Sequence, residues 1–211
     1  TGFSGSSGSS TVGHGMGVAP AMIIHKSRTR DSGWWTQVPN LLTNAGYFLD
    51  LSGTGAQTDL NSYGTMNVPT TSVFTINGVD GVGGESANYV AYCFANIEGY
   101  CKVGSYAANA TTTNNAYIYT GFRPAFVLVK GIVSGASWTL IDNKRDGFNP
   151  TPESLEPNSA GGSYTSAAPF ADLLSTGFRV YTTNAVMGSG SYDPYVYLAF
   201  AENPFKYATA R

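Results

Sequence analysis

The sequence predicts an all-β protein made of two tandem, homologous β-sandwich (jelly-roll-like) units of about 104 residues each. Two observations predict it. A short apolar stretch occurs twice, as Gly17-Val-Ala-Pro-Ala-Met-Ile-Ile-His-Lys26 and as Gly121-Phe-Arg-Pro-Ala-Phe-Val-Leu-Val-Lys130, with Pro20 and Pro124 104 positions apart. Short apolar runs punctuated by glycine and polar residues fill the chain, and no longer segment carries the three-and-four spacing of a helix.

The offset persists along the chain. Trp35-Thr-Gln-Val-Pro-Asn40 answers Trp138-Thr-Leu-Ile-Asp-Asn143 at 103 positions, and Phe74-Thr-Ile76 answers Phe178-Arg-Val180 at 104. Tyr89-Val-Ala-Tyr-Cys-Phe-Ala95 answers Tyr195-Val-Tyr-Leu-Ala-Phe-Ala201 at 106. Matched blocks in one order are the mark of an internal repeat. The seam is expected near Gly104, giving units 1–104 and 105–211. The units are either separate or fused into one larger sandwich, and two packed sandwiches is the preferred reading.

Taken in order, Thr1–Ser10 reads as a short strand and a Gly/Ser turn. His14-Gly-Met-Gly17 follows as a turn whose glycines permit positive φ. Ala21–Lys26 is a strand with Met22 and Ile24 on one face and Ile23 and His25 on the other. Both faces are largely apolar, so it should be central. Trp34–Val38 is the next strand. Adjacent strand residues point to opposite faces, so Trp35 and Trp138 are assigned to the cores. Trp34 is then left outside, either at a binding surface or packed beneath a loop or against the other repeat.

Tyr47–Leu51 is a strand answered by Ser154-Leu-Glu-Pro157, where proline predicts a sheet edge. Val73–Ile76 and Gly177–Val180 are matched strands. In Tyr89–Ala95 the core face is expected to carry Val90, Tyr92 and Phe94, and in its partner Val196, Leu198 and Phe200. The small residues of the opposite face would admit another sheet or a subunit. A single helical turn is expected at Pro169–Leu174. Cys93 and Cys101 are read as buried free thiols, with a disulfide across a turn at Glu98-Gly99 as the other reading.

Composition narrows the function. Charged residues make up 11% of the chain, against roughly 25% in ordinary domains, while 42% is hydrophobic and 13% aromatic. That apolar content argues against disorder. Net charge is −2, with no basic run to follow phosphates, so no nucleic-acid partner is expected. No apolar run reaches the ~20 residues of a membrane span, so no membrane insertion is expected. The chain starts at Thr1 rather than at Met, which reads as a processed product or a fragment.

Catalytic patterns are weak. His14 and His25 are the only histidines, too few for the usual four-ligand zinc site. There is no Gly-x-Ser-x-Gly elbow. Asp80 with Glu85, and Asp193 with Glu202, resemble glycosidase carboxylates only in type, and the repeats do not share them. Calcium at Asn77–Asp80 lacks enough oxygen ligands. The expectation is a non-enzymatic protein with no catalytic residue, no metal and no cofactor. The candidate ligand-binding residues are the aromatics Trp34, Tyr63, Tyr164 and Tyr192, whose rings would stack on sugar faces.

The ordered blocks resemble a family of repeats in tailed-bacteriophage virion proteins, often tail-fibre or adhesin-like. The family's pattern is matched here by Thr1-Gly-Phe, His14-Gly-Met-Gly-Val-Ala-Pro20, Met22–Lys26, Trp34-Trp35, Val73–Ile76 and Tyr89–Phe94. The second unit matches with Gly121–Lys130, Trp138, Ser175–Val180 and Tyr195–Phe200. It departs where Thr120-Gly-Phe-Arg replaces the His-Gly turn. The resemblance implies a location in a phage particle and a role in structure or attachment. It carries over no catalytic residue. The implied partners are other virion proteins, further copies of the chain (with Trp34 or the Tyr197 face buried between them), or a host cell-surface glycan.

Overall fold

The computed structural model describes residues 1–61, 65–79, 81–84, 86–112, 115–133, 135–192 and 194–204. The described residues form short strands joined by turns and irregular loops, as the sequence predicts, with a 3₁₀ turn at Gly190–Tyr192. The chain forms two compact units, Thr1–Ala95 and the remainder from Asn96.

The first unit contains β1 (Gly2–Ser4), β2 (Ser10–Gly13), β3 (Met22–Ser27), β4 (Trp35–Gln37), β5 (Tyr47–Asp50), β6 (Thr58–Asp59), β7 (Val73–Ile76) and β8 (Asn88–Phe94). Six of them form an antiparallel sheet in the order β1-β8-β3-β4-β5-β6, and β2 pairs with β7. As its two apolar faces require, β3 is central, with only Lys26 less than fully buried. Ile23 and Ala91 of the large sheet pack on Phe74 and Ile76 of the small one, so this is a sandwich core. A second cluster gathers Phe48, Leu60, Met66 and Val82, with Trp35 half-buried against it.

The second unit contains β9 (Cys101–Tyr106), β10 (Tyr117–Tyr119), β11 (Pro124–Gly131), β12 (Thr139–Asp142), β13 (Glu153–Ser154), β14 (Tyr164–Thr165), β15 (Ala171–Leu174), β16 (Gly177–Val180) and β17 (Tyr195–Ala201). One sheet runs β12-β11-β17-β9, a second runs β10-β16-β15, and β13 pairs with β14. Proline at 157 predicts an edge, but Leu155 bridges Leu140 of β12 while Glu153 and Ser154 pair with β14, so the start of this stretch is flanked on both sides. The central cluster joins Val127, Val129, Tyr195, Tyr197 and Ala199 to Phe170, Leu173, Phe178 and Val180.

A similar aromatic arrangement occurs in each unit. Phe3 faces Tyr89 across the β1–β8 pair, the rings stacked with centroids 5.2 Å apart, and Phe74 meets Phe3 edge-on at 5.9 Å. Tyr106 faces Tyr195 across the β9–β17 pair, also stacked at 5.2 Å, and Phe178 meets Tyr106 edge-on at 6.1 Å. The strand orders β1-β8-β3-β4 and β9-β17-β11-β12 follow the same plan.

Several expectations change. In β8 the buried residues are Tyr89 and Ala91, while Val90 is only half-buried and Tyr92 is 46% exposed. The core face is therefore the Tyr89 face, opposite to the one expected from apolar character. Tyrosine is tolerated there because the ring stacks and its hydroxyl donates to the Gly84 carbonyl at 3.0 Å. In β17 the Tyr195 face also enters the main cluster, and Val196 and Leu198 are buried as well. Pro169–Leu174 is no helical turn: Ala171 and Leu173 are buried, alternating with partly exposed Asp172 and Leu174, and the segment pairs with β16. Gly104, where the seam is expected, falls inside β9, while the units divide between Ala95 and Asn96. Both thiols are free as expected, but only Cys101, which bridges Ile97 across a turn with Gly99 at φ +70°, is buried, and Cys93 is half-buried. Burial pushes the Cys101 thiol up to about 11.

Candidate functional site

Trp34 precedes β4 and is fixed by its own backbone. Its N–H donates to Asp50 Oδ1 at 3.0 Å, and its carbonyl accepts from the Leu51 N–H at 2.8 Å. A Cβ at Gly33 would come within 2.7 Å of the Asp50 carboxylate, so glycine is what allows this approach. The indole is 36% exposed. It stacks with Tyr92 of β8, centroids 6.2 Å apart and planes 21° from parallel. Lys26 Nζ lies 5.7 Å from the Trp34 ring centroid, a cation–π distance, and donates to the Ser32 carbonyl at 2.5 Å.

Val90, Ser27 and Arg28 line an open groove of about 610 Å³ with these residues. The site therefore offers two near-parallel rings on a rigid sheet, with Lys26 and Arg28 supplying positive charge. Rings held this way lose little freedom on binding a flat apolar face.

Other expected residues are dispersed. Tyr164 belongs to β14 of the second unit, is 52% exposed, and meets Phe170 edge-on at 6.2 Å. It borders a small cavity of about 170 Å³ with Glu156 and Asn184. Tyr63 lies outside the described residues, as do Asp80, Glu85 and Asp193. Tyr192 closes the 3₁₀ turn, and its side chain is likewise outside the description. Tyr92 belongs to the site although the sequence argument assigns it to the core. Its neighbours Val90 and Phe94 are as apolar as a core face, so only its exposure distinguishes it.

Both histidines and Glu202 are taken up in structure. His14 Nδ1 accepts from the Met16 N–H at 3.2 Å, and Nε2 reaches the Thr70 carbonyl at 3.1 Å, pinning the glycine turn. His25 is fully buried between the rings of Phe48 and Phe74. Desolvation there pushes its pKa down to about 3, so it is neutral. Glu202 pairs with Arg123 at 3.3 Å and accepts from Asn143 Nδ2 at 2.7 Å. Among the described residues no three His, Cys, Asp or Glu side chains cluster to hold a metal, and no helix is long and apolar enough to cross a membrane.

Fold and site together define an all-β protein with a fixed, partly exposed aromatic platform on one sheet. The chain belongs to the DUF7483 family, a domain of unknown function, whose model matches residues 1–204. No curated protein and no solved structure matches it.

Proposed function

We propose that the chain is a non-enzymatic structural component of a bacteriophage particle. Two tandem repeats of one β-sandwich would serve subunit assembly at the particle surface, as part of a fibre, a tail or a head decoration. The observation that carries the repeat is the shared aromatic arrangement, Phe3/Tyr89/Phe74 and Tyr106/Tyr195/Phe178, set in the same strand order. The particle assignment rests on the ordered motifs that resemble virion repeats. The engagement of His14, His25 and Glu202 in structure favours a role without catalysis.

Contacts between copies would not use the Tyr197 face, because Tyr197 is 3% exposed and packs on Phe178 of its own unit. The test is the mass of the purified chain in solution, together with its co-sedimentation with purified particles. Stable oligomers or particle association are expected. A monomer that ignores particles would overturn the assignment.

The Trp34–Tyr92 platform favours a second reading, recognition of a host cell-surface glycan. A pyranose presents a flat face of C–H groups suited to an exposed ring, and hydroxyls suited to Lys26 and Arg28. Binding of the labelled chain to intact host cells should fall at least tenfold in Trp34→Ala. Unchanged binding by that variant would exclude the platform.

A further inference from the structure

A cavity in the second unit has the makings of a site separate from the Trp34 groove. Its rim is the turn after β12. Asp142 Oδ1 accepts from the N–H groups of Lys144 at 2.8 Å and Arg145 at 2.9 Å, and the Arg145 guanidinium returns to Asp142 Oδ2 at 3.1 Å. Gly147, at φ +73°, then reverses the chain and delivers Phe148 to the surface, where it is 67% exposed. Among the described residues no aromatic ring packs against Phe148. Beyond it the Asn149 side chain clamps the Leu173 backbone, accepting from its N–H and donating to its carbonyl, both at 2.9 Å. Thr151 ties to Ala171 through both its N–H and its hydroxyl.

The opposite wall is the Arg123–Glu202 pair. Glu202 N–H donates to the Arg123 carbonyl at 2.9 Å, and the two side chains meet through Arg123 Nε and Glu202 Oε2 at 3.3 Å. Asn143 holds the other carboxylate oxygen at 2.7 Å. These walls enclose about 330 Å³, within the range of roughly 300–1,000 Å³ usual for small-ligand sites.

We propose that this cavity binds a carboxylated pyranose, a sugar residue of the uronate type. The exposed face of Phe148 matches the C–H face of the ring. Arg123 meets Glu202 through Nε and its side chain is 52% exposed, so its terminal Nη groups can grip a carboxylate in the forked geometry that guanidinium favours. Lys144 adds a second cation to the lining, against the single carboxylate of Glu202, which leaves the cavity with a net positive charge. Glu202 accepts one hydrogen bond at Oε1 and one ion-pair contact at Oε2, and each oxygen keeps a further lone pair for a sugar hydroxyl. The frame is preorganised, because the turn and floor are bonded without any ligand.

The test uses the full chain and two probes, methyl β-glucuronide and methyl β-glucoside, which differ only in carboxylate against hydroxymethyl. Titration by calorimetry or by NMR shifts should show the glucuronide binding at least tenfold more tightly. Phe148→Ala and Arg123→Gln should each weaken glucuronide binding about tenfold or more, with Arg123→Lys in between. Both altered side chains are exposed, and unchanged thermal unfolding would verify that each variant folds. Trp34→Ala should leave glucuronide binding intact. Equal binding of the two probes, no binding of either, or full binding by Phe148→Ala would overturn the proposal. Loss of glucuronide binding in Trp34→Ala would overturn it too, by moving the sugar to the other groove. Loss of cell binding alone in that variant bears only on the Trp34 reading.

Discussion

β8 and β17 hold the same place in the two sheets, between β1 and β3 in one and between β9 and β11 in the other. Each buries a tyrosine stacked on a ring of the neighbouring strand. On their other faces they part company. Val196 and Leu198 are buried to 0% and 3% exposure, whereas Val90 is half-buried and Tyr92 is 46% exposed. A strand covered on both faces needs apolar residues throughout, and one covered on a single face does not. The same strand position can thus be an interior element in one unit and the floor of a groove in the other. The replacement of leucine by tyrosine at the second outward position marks the difference, since tyrosine accepts a wet edge.

A second contrast lies on the neighbouring strand. His25 of β3 is matched by Val129 of β11, and both are fully buried. This pair should produce the largest effect. In the folded protein burial holds the His25 pKa at about 3, below its ordinary 6.5. Between those values the unfolded chain binds the extra proton, so stability is lost as pH falls from about 6.5 towards 3. The loss should approach about 5 kcal/mol at the acid limit, at roughly 1.4 kcal/mol per pH unit. Urea unfolding from pH 7 to pH 4 should show the first unit weakening selectively, and His25→Val should remove that slope. An equal acid slope in the variant would refute the linkage.

The next effect tests β17 against β8 directly. Leu198→Ala should cost about 2–5 kcal/mol, the usual range for emptying a buried leucine site. Tyr92→Ala should cost about 1 kcal/mol, mostly the lost stack on Trp34. Similar losses in the two variants, read from denaturant midpoints, would erase the proposed difference between the faces.

Lys130 supplies a further asymmetry. It is fully buried, its ammonium donates to the Gly131 carbonyl at 2.7 Å, and burial lowers its pKa to about 8. A lysine depressed in this way penalises the folded state while it is charged. The penalty is complete below about pH 8 and fades as pH rises towards the ordinary 10.5. Relative to Lys130→Met, the wild-type protein should therefore gain stability between pH 8 and 10. Parallel curves for the two proteins over that interval would contradict it. The smallest stability effect is expected for Phe148→Ala, within about 0.5 kcal/mol, since its ring is exposed.

Much of the fold is legible in residue order. The largely apolar run Ala21–Lys26 announces a strand covered on both sides, and β3 is central. Pro157 announces an edge less reliably, since Ser154 pairs with β14 and Leu155 bridges β12. The glycines after His14 announce a turn, and Gly15 and Gly17 both take positive φ. The sites are less legible. Trp34 can be singled out because two adjacent tryptophans cannot share a face, but its partner Tyr92 cannot. Phe148, Arg123 and Glu202 are far apart in sequence and form no local pattern. Only the closing of β11, β12 and β17 brings them to one cavity.

By itself the residue order determined that the chain is β throughout and where its principal strands and many of its turns lie. Those properties come from alternation, glycine and proline, which act within a few residues. Tertiary structure decided which face of each strand is the core, because Tyr89-Val-Ala-Tyr-Cys-Phe-Ala95 is apolar enough on both sides to bury either. The Tyr89 face wins because Phe3 and Phe74 come to meet it and the Gly84 carbonyl accepts its hydroxyl. That choice turns Tyr92 outward beside Trp34 and Lys26, and so creates the groove.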